Sequence, residues 1–251
     1  MVKRILDIVD MQNDFMQPDG ALYVPGSEQI IPRANKFLAE LRAQDFDLVL
    51  LKFDTHFSET YDQNPESKMF PPHCLFNSKG WQLAIDVPAD LGSKIPAYRM
   101  NKNVFDMWAA QPDLTSNFKD DFNARAYKNL FTAQRWAQEG PATRRDDFMN
   151  RLEIGKNTEV VMMGVASDFC VKDAILGYLK RGASVTVLED MVQGISDDIK
   201  SVVQAEDLKQ YTRTGQLRVT TSTQYKLDMD KEVRHDNRFK NIDRTSKPNR
   251  R

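Results

Sequence analysis

Cys170 sits in the run Gly164-Val165-Ala166-Ser167-Asp168-Phe169-Cys170-Val171 and is one of only two cysteines in 251 residues. Val171, Ala174, Ile175, Tyr178 and Leu179 share one side of a helix that begins near it and that Gly182 stops. At such a helix start, free backbone N–H groups and the helix dipole favour a thiolate. A thiol of ordinary pKa, about 8.5, is only a few per cent ionised at neutral pH, so a nucleophile also wants a proton acceptor and a cation nearby. Asp10 could accept the proton and Lys102 could stabilise the thiolate. The plainer readings are a buried filler cysteine, a turn or cap aspartate and a solvated lysine, and spacing alone does not single out Lys102.

A second group lies between the strands. Asp54-x-His56 puts two ligand types on one side of extended backbone, and the same loop holds Glu66 and His73. Two of the chain's three histidines thus fall in one loop. Carboxylate with imidazole suits Zn²⁺, Mn²⁺ or Fe²⁺, zinc first. The alternative is a polar loop whose histidines bond locally.

These residues need a scaffold. "RILDIV", "DLVLLKFD", "SKIPAYRMNK", "TEVVMMGV", "ASVTVLED" and "GQLRVTTST" read as six strands, the fourth of the buried, non-alternating kind. Asp7 inside the first is awkward, because a buried carboxylate needs a partner. Helical spacing marks residues 27–44, with Ser27 as cap, and residues 196–211. The alternation predicts an α/β fold: a doubly wound, mostly parallel six-stranded sheet with helices on both faces. Ligands bind such sheets beyond the carboxyl ends of the strands, where Asp10, Asp54, Lys102 and Cys170 all fall. Residues 109–150 keep an i, i+4 rhythm through Phe118, Phe122, Ala126 and Leu130. They predict a helical insertion broken at Gly140-Pro141, serving as surface packing, lid or subunit contact. The domain is expected over residues 1–225. Residues 226–251, with nine Lys/Arg against five Asp/Glu, are expected as a polar basic tail.

Near-neutral charge, 35 basic against 36 acidic residues, argues against a nucleic-acid or membrane field. No apolar run approaches the roughly 20 residues of a membrane span, and the N-terminal stretch, interrupted by Asp7, is not a signal peptide. Two distant cysteines make a poor disulfide framework, so a reducing, cytoplasmic setting is expected.

"IVDMQNDFMQPDGALYVPG" and "GVASDFCV" resemble the N-terminal and nucleophile motifs of isochorismatase-like cysteine hydrolases. The Asp54-x-His56…His73 loop narrows the resemblance to nicotinamidases, also called pyrazinamidases. It covers about residues 4–108 and 150–222. The resemblance implies a triad of Asp10, Lys102 and Cys170, and a metal held by Asp54, His56 and His73, with Glu66 a further contact through water. It implies a cis peptide at Val165–Ala166, oxyanion donors at the Ala166 and Cys170 amides, and Phe15, Phe70 and Phe105 around a pyridine ring. The implied activity is hydrolysis of nicotinamide to nicotinate and ammonia through a cysteine thioester, in NAD salvage. The implied partner is a small-molecule amide, with room for a homo-oligomer. The chain departs from the family around "KNVFDMW" and at Cys74, where some members carry Trp, so a different small amide or a ureido compound is an alternative substrate. A non-catalytic binding protein on the same fold is the other.

Overall fold

A strand covered by helices on both faces is buried along its whole length, and Leu48–Asp54 is, with its two charged residues, Lys52 and Asp54, buried among apolar ones. The computed structural model describes residues 2–110, 117–138 and 140–231. In chain order the elements are β1 (Lys3–Val9), α1 (Asn13–Met16), α2 (Ile31–Ala39), β2 (Leu48–Asp54), α3 (Leu91–Lys94), β3 (Ala97–Lys102), α4 (Asp121–Lys128), β4 (Thr132–Arg135), β5 (Thr143–Arg144), α5 (Arg145–Leu152), β6 (Thr158–Val165), α6 (Cys170–Lys180), β7 (Ser184–Gln193), α7 (Ile199–Val202), α8 (Lys209–Arg213) and β8 (Leu217–Thr220). A further helix spans residues 222–231.

The sheet has eight strands in the order β5-β4-β3-β2-β1-β6-β7-β8. The six strands read from the sequence are its parallel body. β4 and β5 add antiparallel strands to the β3 edge. They come from the segment expected as a helical insertion broken at Gly140-Pro141, in which α4 and the start of α5 are the helices. The segment's i, i+4 rhythm is carried by α4 at Phe122 and Ala126, and Phe118 and Leu130 flank that helix. Phe118, Ala126 and Leu130 join a small apolar cluster with Phe57, Tyr127 and Phe131, and only α4 between them is helix. Residues 111–116 and 139 of this segment lie outside the described residues.

Three smaller expectations also change. Ser27 caps nothing; it opens a 3-10 turn (Ser27–Ile30), and its hydroxyl donates to the Phe15 carbonyl (2.8 Å). The helix read over 196–211 is two short ones, α7 and α8. The boundary placed at residue 226 falls inside the last helix, which buries Tyr225 and Met229 in the core; residues 232–251 lie outside the described residues.

Asp7 has its partner. Lys52 Nζ on β2 lies 2.8 Å from Asp7 Oδ2, with both side chains almost wholly buried. Burial pushes the Asp7 carboxyl up, and the Lys52 ammonium opposes this.

The chain winds from β1 through β2 to β3 on one side and resumes on the other at β6, so strand order reverses between β1 and β6. The cleft beyond that reversal is where such sheets bind ligands. Gly164 lets the two strands close there: its φ is +129°, and a Cβ would stand 1.9 Å from the Val9 carbonyl oxygen. Among the described residues no helix is long and apolar enough to cross a membrane.

Candidate active site

Four strand ends deliver the predicted residues to one place. Lys102 is the last residue of β3, Asp54 the last of β2, Asp10 follows β1, and Cys170 opens α6 after β6. Asp10 has φ of +51°. It is held by its N–H on the Lys52 carbonyl (3.2 Å) and by its carbonyl on the Gln12 N–H (2.8 Å). Lys102 Nζ lies 2.8 Å from Asp10 Oδ2, 3.6 Å from Asp54 Oδ1 and 3.3 Å from Cys170 Sγ. The Val165–Ala166 peptide bond is cis. Among the described loop contacts, neither the Ala166 nor the Cys170 amide has a backbone acceptor.

The electrostatics separate the three roles. Burial pushes the Cys170 thiol well up, and the Lys102 ammonium only partly opposes it. The helix start therefore does not by itself make a resting thiolate, and the expected need for a proton acceptor and a cation stands. Burial also raises the Asp10 carboxyl, against the pull of Lys102. Burial works against the Lys102 ammonium too, but Asp10 and its neighbours outweigh this and lift it well above the ordinary lysine range. The arrangement is a proton-bearing thiol, a carboxylate of raised basicity and a permanent cation, the set that acyl transfer through sulfur requires.

Beside it, Asp54, His56, Glu66 and His73 form a buried group whose ligand atoms all lie within 4.8 Å of one another. Asp54 Oδ2 is 3.0 Å from both imidazole Nε2 atoms, and Glu66 Oε2 is 3.5 Å from each. The loop is clasped to make this happen. His56 N–H donates to the Cys74 carbonyl (3.0 Å), and the Phe76 N–H to the His56 carbonyl (2.8 Å). Asn64 Oδ1 accepts from Glu66 N–H (2.8 Å), while its Nδ2 donates to the carbonyl of Asn103, next to Lys102 (2.6 Å).

These residues fit a divalent cation. His73 Nδ1 must donate to the Pro71 carbonyl (2.8 Å), so the neutral ring turns its Nε2 lone pair toward Asp54. Both Glu66 oxygens are buried and accept no hydrogen bond among the described residues. Burial alone would lower the His73 imidazole; Asp54 and Glu66 carry it up to about 10, and a divalent ion competes for that same proton's place.

Phe15, Phe70 and Phe105 line the pocket with Cys170, His73 and Glu66. The room left there is about 20 Å³. Three further residues were not singled out from the sequence, although all lie in the two quoted motifs. Phe169 adds a fourth aromatic wall, 5.3 Å from Phe70 and 5.2 Å from Phe105 between ring centroids. Gln12, wholly buried, holds both backbone groups of Asp54: Oε1 accepts its N–H (2.7 Å), and Nε2 donates to its carbonyl (2.8 Å). Asp168 accepts from the N–H groups of Ile195, Ser196 and Asp197, tying the loop after β7 to the cysteine turn.

The family model described as the isochorismatase domain matches residues 5–224. The nicotinamidase of Escherichia coli (strain K12) is 29% identical over 211 residues, spanning 78% of this chain and 85% of its own. The nicotinamidase/pyrazinamidase of Mycobacterium tuberculosis is 28% identical over 201 residues, spanning 78% and 89%. The crystal structure of PnC1 from L. infantum in complex with nicotinate superposes with a TM-score of 0.58 at 25% identity, covering 88% of this chain and 94% of that one.

Proposed function

The chain belongs to the isochorismatase domain family, and from that premise we propose that it hydrolyses nicotinamide to nicotinate and ammonia through a thioester on Cys170. The observation that carries this reading is the convergence of a thiol and a carboxylate within 3.3 Å of the Lys102 ammonium, directly beside a buried two-imidazole, two-carboxylate cluster. The names of similar nicotinamidases support the substrate.

Asp10 takes the proton from Cys170 Sγ as the sulfur attacks the amide carbon. Its raised basicity suits it to that task. Lys102 keeps its proton throughout and offsets the negative charge shared by sulfur and carboxylate. The amides of Ala166 and Cys170 stabilise the tetrahedral oxyanion, each worth about 3 kcal/mol. Asp10 then returns its proton to the amide nitrogen, the C–N bond breaks and ammonia leaves. A water, losing its proton to Asp10, opens the thioester; nicotinate is released and the thiol is restored. Phe15, Phe70, Phe105 and Phe169 clamp the ring and exclude other water. Asp54, His56, His73 and Glu66 would hold a divalent metal, zinc by donor type, which supplies a Lewis-acid anchor for the ring nitrogen.

The test is ammonia release by purified protein against a panel of small amides and ureido compounds, with and without chelator. Turnover of nicotinamide above the rest of the panel, lost on chelation and in Cys170→Ala, is expected. Turnover by Cys170→Ala at the wild-type rate would end the thioester scheme.

A further inference from the structure

On the sheet face that carries Phe53, a groove of about 370 Å³ opens outside the site described above. Its walls are aromatic. Trp81 lies 5.4 Å from Phe53, and Trp136 stacks on Phe53 at 6.3 Å and 29° between planes. Arg99, on β3, reaches into it. Its guanidinium sits 5.6 Å from the Trp81 ring and 5.9 Å from the Phe53 ring. A guanidinium carries five N–H donors. The hydrogen bond Arg99 makes among the described residues is to a neutral acceptor, Gln134 Oε1 (2.9 Å), and it has no carboxylate partner. Asp86 lies on the same wall, but it accepts from Asn35 (2.8 Å) and forms no ion pair with Arg99 among the described residues. Burial, with no opposing carboxylate, draws the Arg99 guanidinium down from its usual range.

We propose that this groove is a ligand site for a small aromatic carboxylate, with the ring against Trp81 and Trp136 and the carboxylate on the free edge of Arg99. The chemistry is that of a half-buried cation with no counter-ion among the described residues, set between flat π faces. A bidentate guanidinium–carboxylate pair supplies the charge, and stacking supplies the fit. A bound ring would also lean on the frame of the buried cluster. The Trp81 indole N–H donates to Thr55 Oγ1 (2.9 Å), between Asp54 and His56, and the Trp81 carbonyl accepts from Gln12 (2.8 Å).

Two of the chain's three tryptophans line the groove, so intrinsic fluorescence reads it directly. The probes are benzoate, which has no ring nitrogen for the first site, and benzamide, its uncharged analogue. Benzoate at up to millimolar concentration is expected to quench wild-type tryptophan emission saturably, with a matching calorimetric isotherm. Benzamide should bind about tenfold more weakly or worse, and so should benzoate on Arg99→Met. Phe169→Ala, in the other pocket, should leave benzoate affinity unchanged. The comparison of the two probes on wild-type protein needs no variant, so a folding defect in Arg99→Met does not spoil the test. Equal binding of benzoate and benzamide, no saturable binding, or loss in Phe169→Ala instead would overturn the assignment. So would sedimentation showing a dimer that Arg99→Met dissociates, which would give the groove to a second copy of the chain.

Discussion

The ammonium of Lys102 lies 3.3 Å from the sulfur of Cys170, across 68 positions of chain. The same nitrogen is 2.8 Å from Asp10 Oδ2 and 3.6 Å from Asp54 Oδ1, so one cation serves both the sulfur group and the metal-type cluster. Removing it therefore disturbs more than a single contact.

Lys102→Met should lower kcat/KM by about 10²–10³. Its pH profile should shift as well. The Lys102 charge holds the Asp10 carboxyl below where burial would put it. Without that charge Asp10 protonates at higher pH, so the acid limb of kcat/KM moves upward. A profile unchanged in shape, with only its height reduced, would show that Lys102 does not act on Asp10.

Alkylation of Cys170 should be slow at neutral pH and should quicken as pH rises past the usual thiol range, about 8.5. The cause is the burial that lifts the thiol. The check is the rate of iodoacetamide incorporation against pH, with Cys74 followed as the second buried thiol. Rapid labelling of Cys170 below neutrality would reveal a resting thiolate.

Dialysed protein should take up one divalent ion per chain, read by elemental analysis. A ligand present at 100 to 1,000 times its Kd should raise stability by about 2.7–4.1 kcal/mol. Glu66→Gln removes the charge of the carboxylate that lacks a hydrogen-bond partner and should weaken the ion about 10–100-fold. Unchanged affinity in Glu66→Gln would leave Glu66 outside the ligand set.

Asp7→Leu alone, leaving Lys52 buried beside an apolar group, should cost about 3–5 kcal/mol, whereas Asp7→Leu with Lys52→Met should come close to wild type. The sign of the pH effect follows from the raised Asp7 carboxyl. Its stabilising contribution is fully present below the unfolded value, about pH 4, and is lost as pH rises through the folded value. The margin of wild type over the double variant should thus be widest in acid, measured by denaturant melts across pH.

Much of this site could be read without coordinates, because Asp10, Asp54 and Cys170 each end an apolar strand or follow one, and parallel strands bring such ends together. Lys102 was harder. It ends a strand with mixed burial, and only the resemblance distinguished it. Gln12 escaped notice because it acts on the backbone of a residue 42 positions away, which leaves no spacing to detect. β5 is two residues long and β4 only four, too short for a period to register, and the rhythm around Phe118 runs through α4 and past both its ends into a tertiary cluster.

The pocket's spare room of about 20 Å³, hemmed by phenyl groups from four separate stretches of chain, is too small for any ring until a wall moves. A planar heteroarene can slide in edgewise once a wall swings by a rotamer. A saturated six-membered carboxamide, puckered and thicker, would demand a larger movement of those walls. Discrimination would then begin at the doorway, by flatness, before any atom of the substrate meets the sulfur.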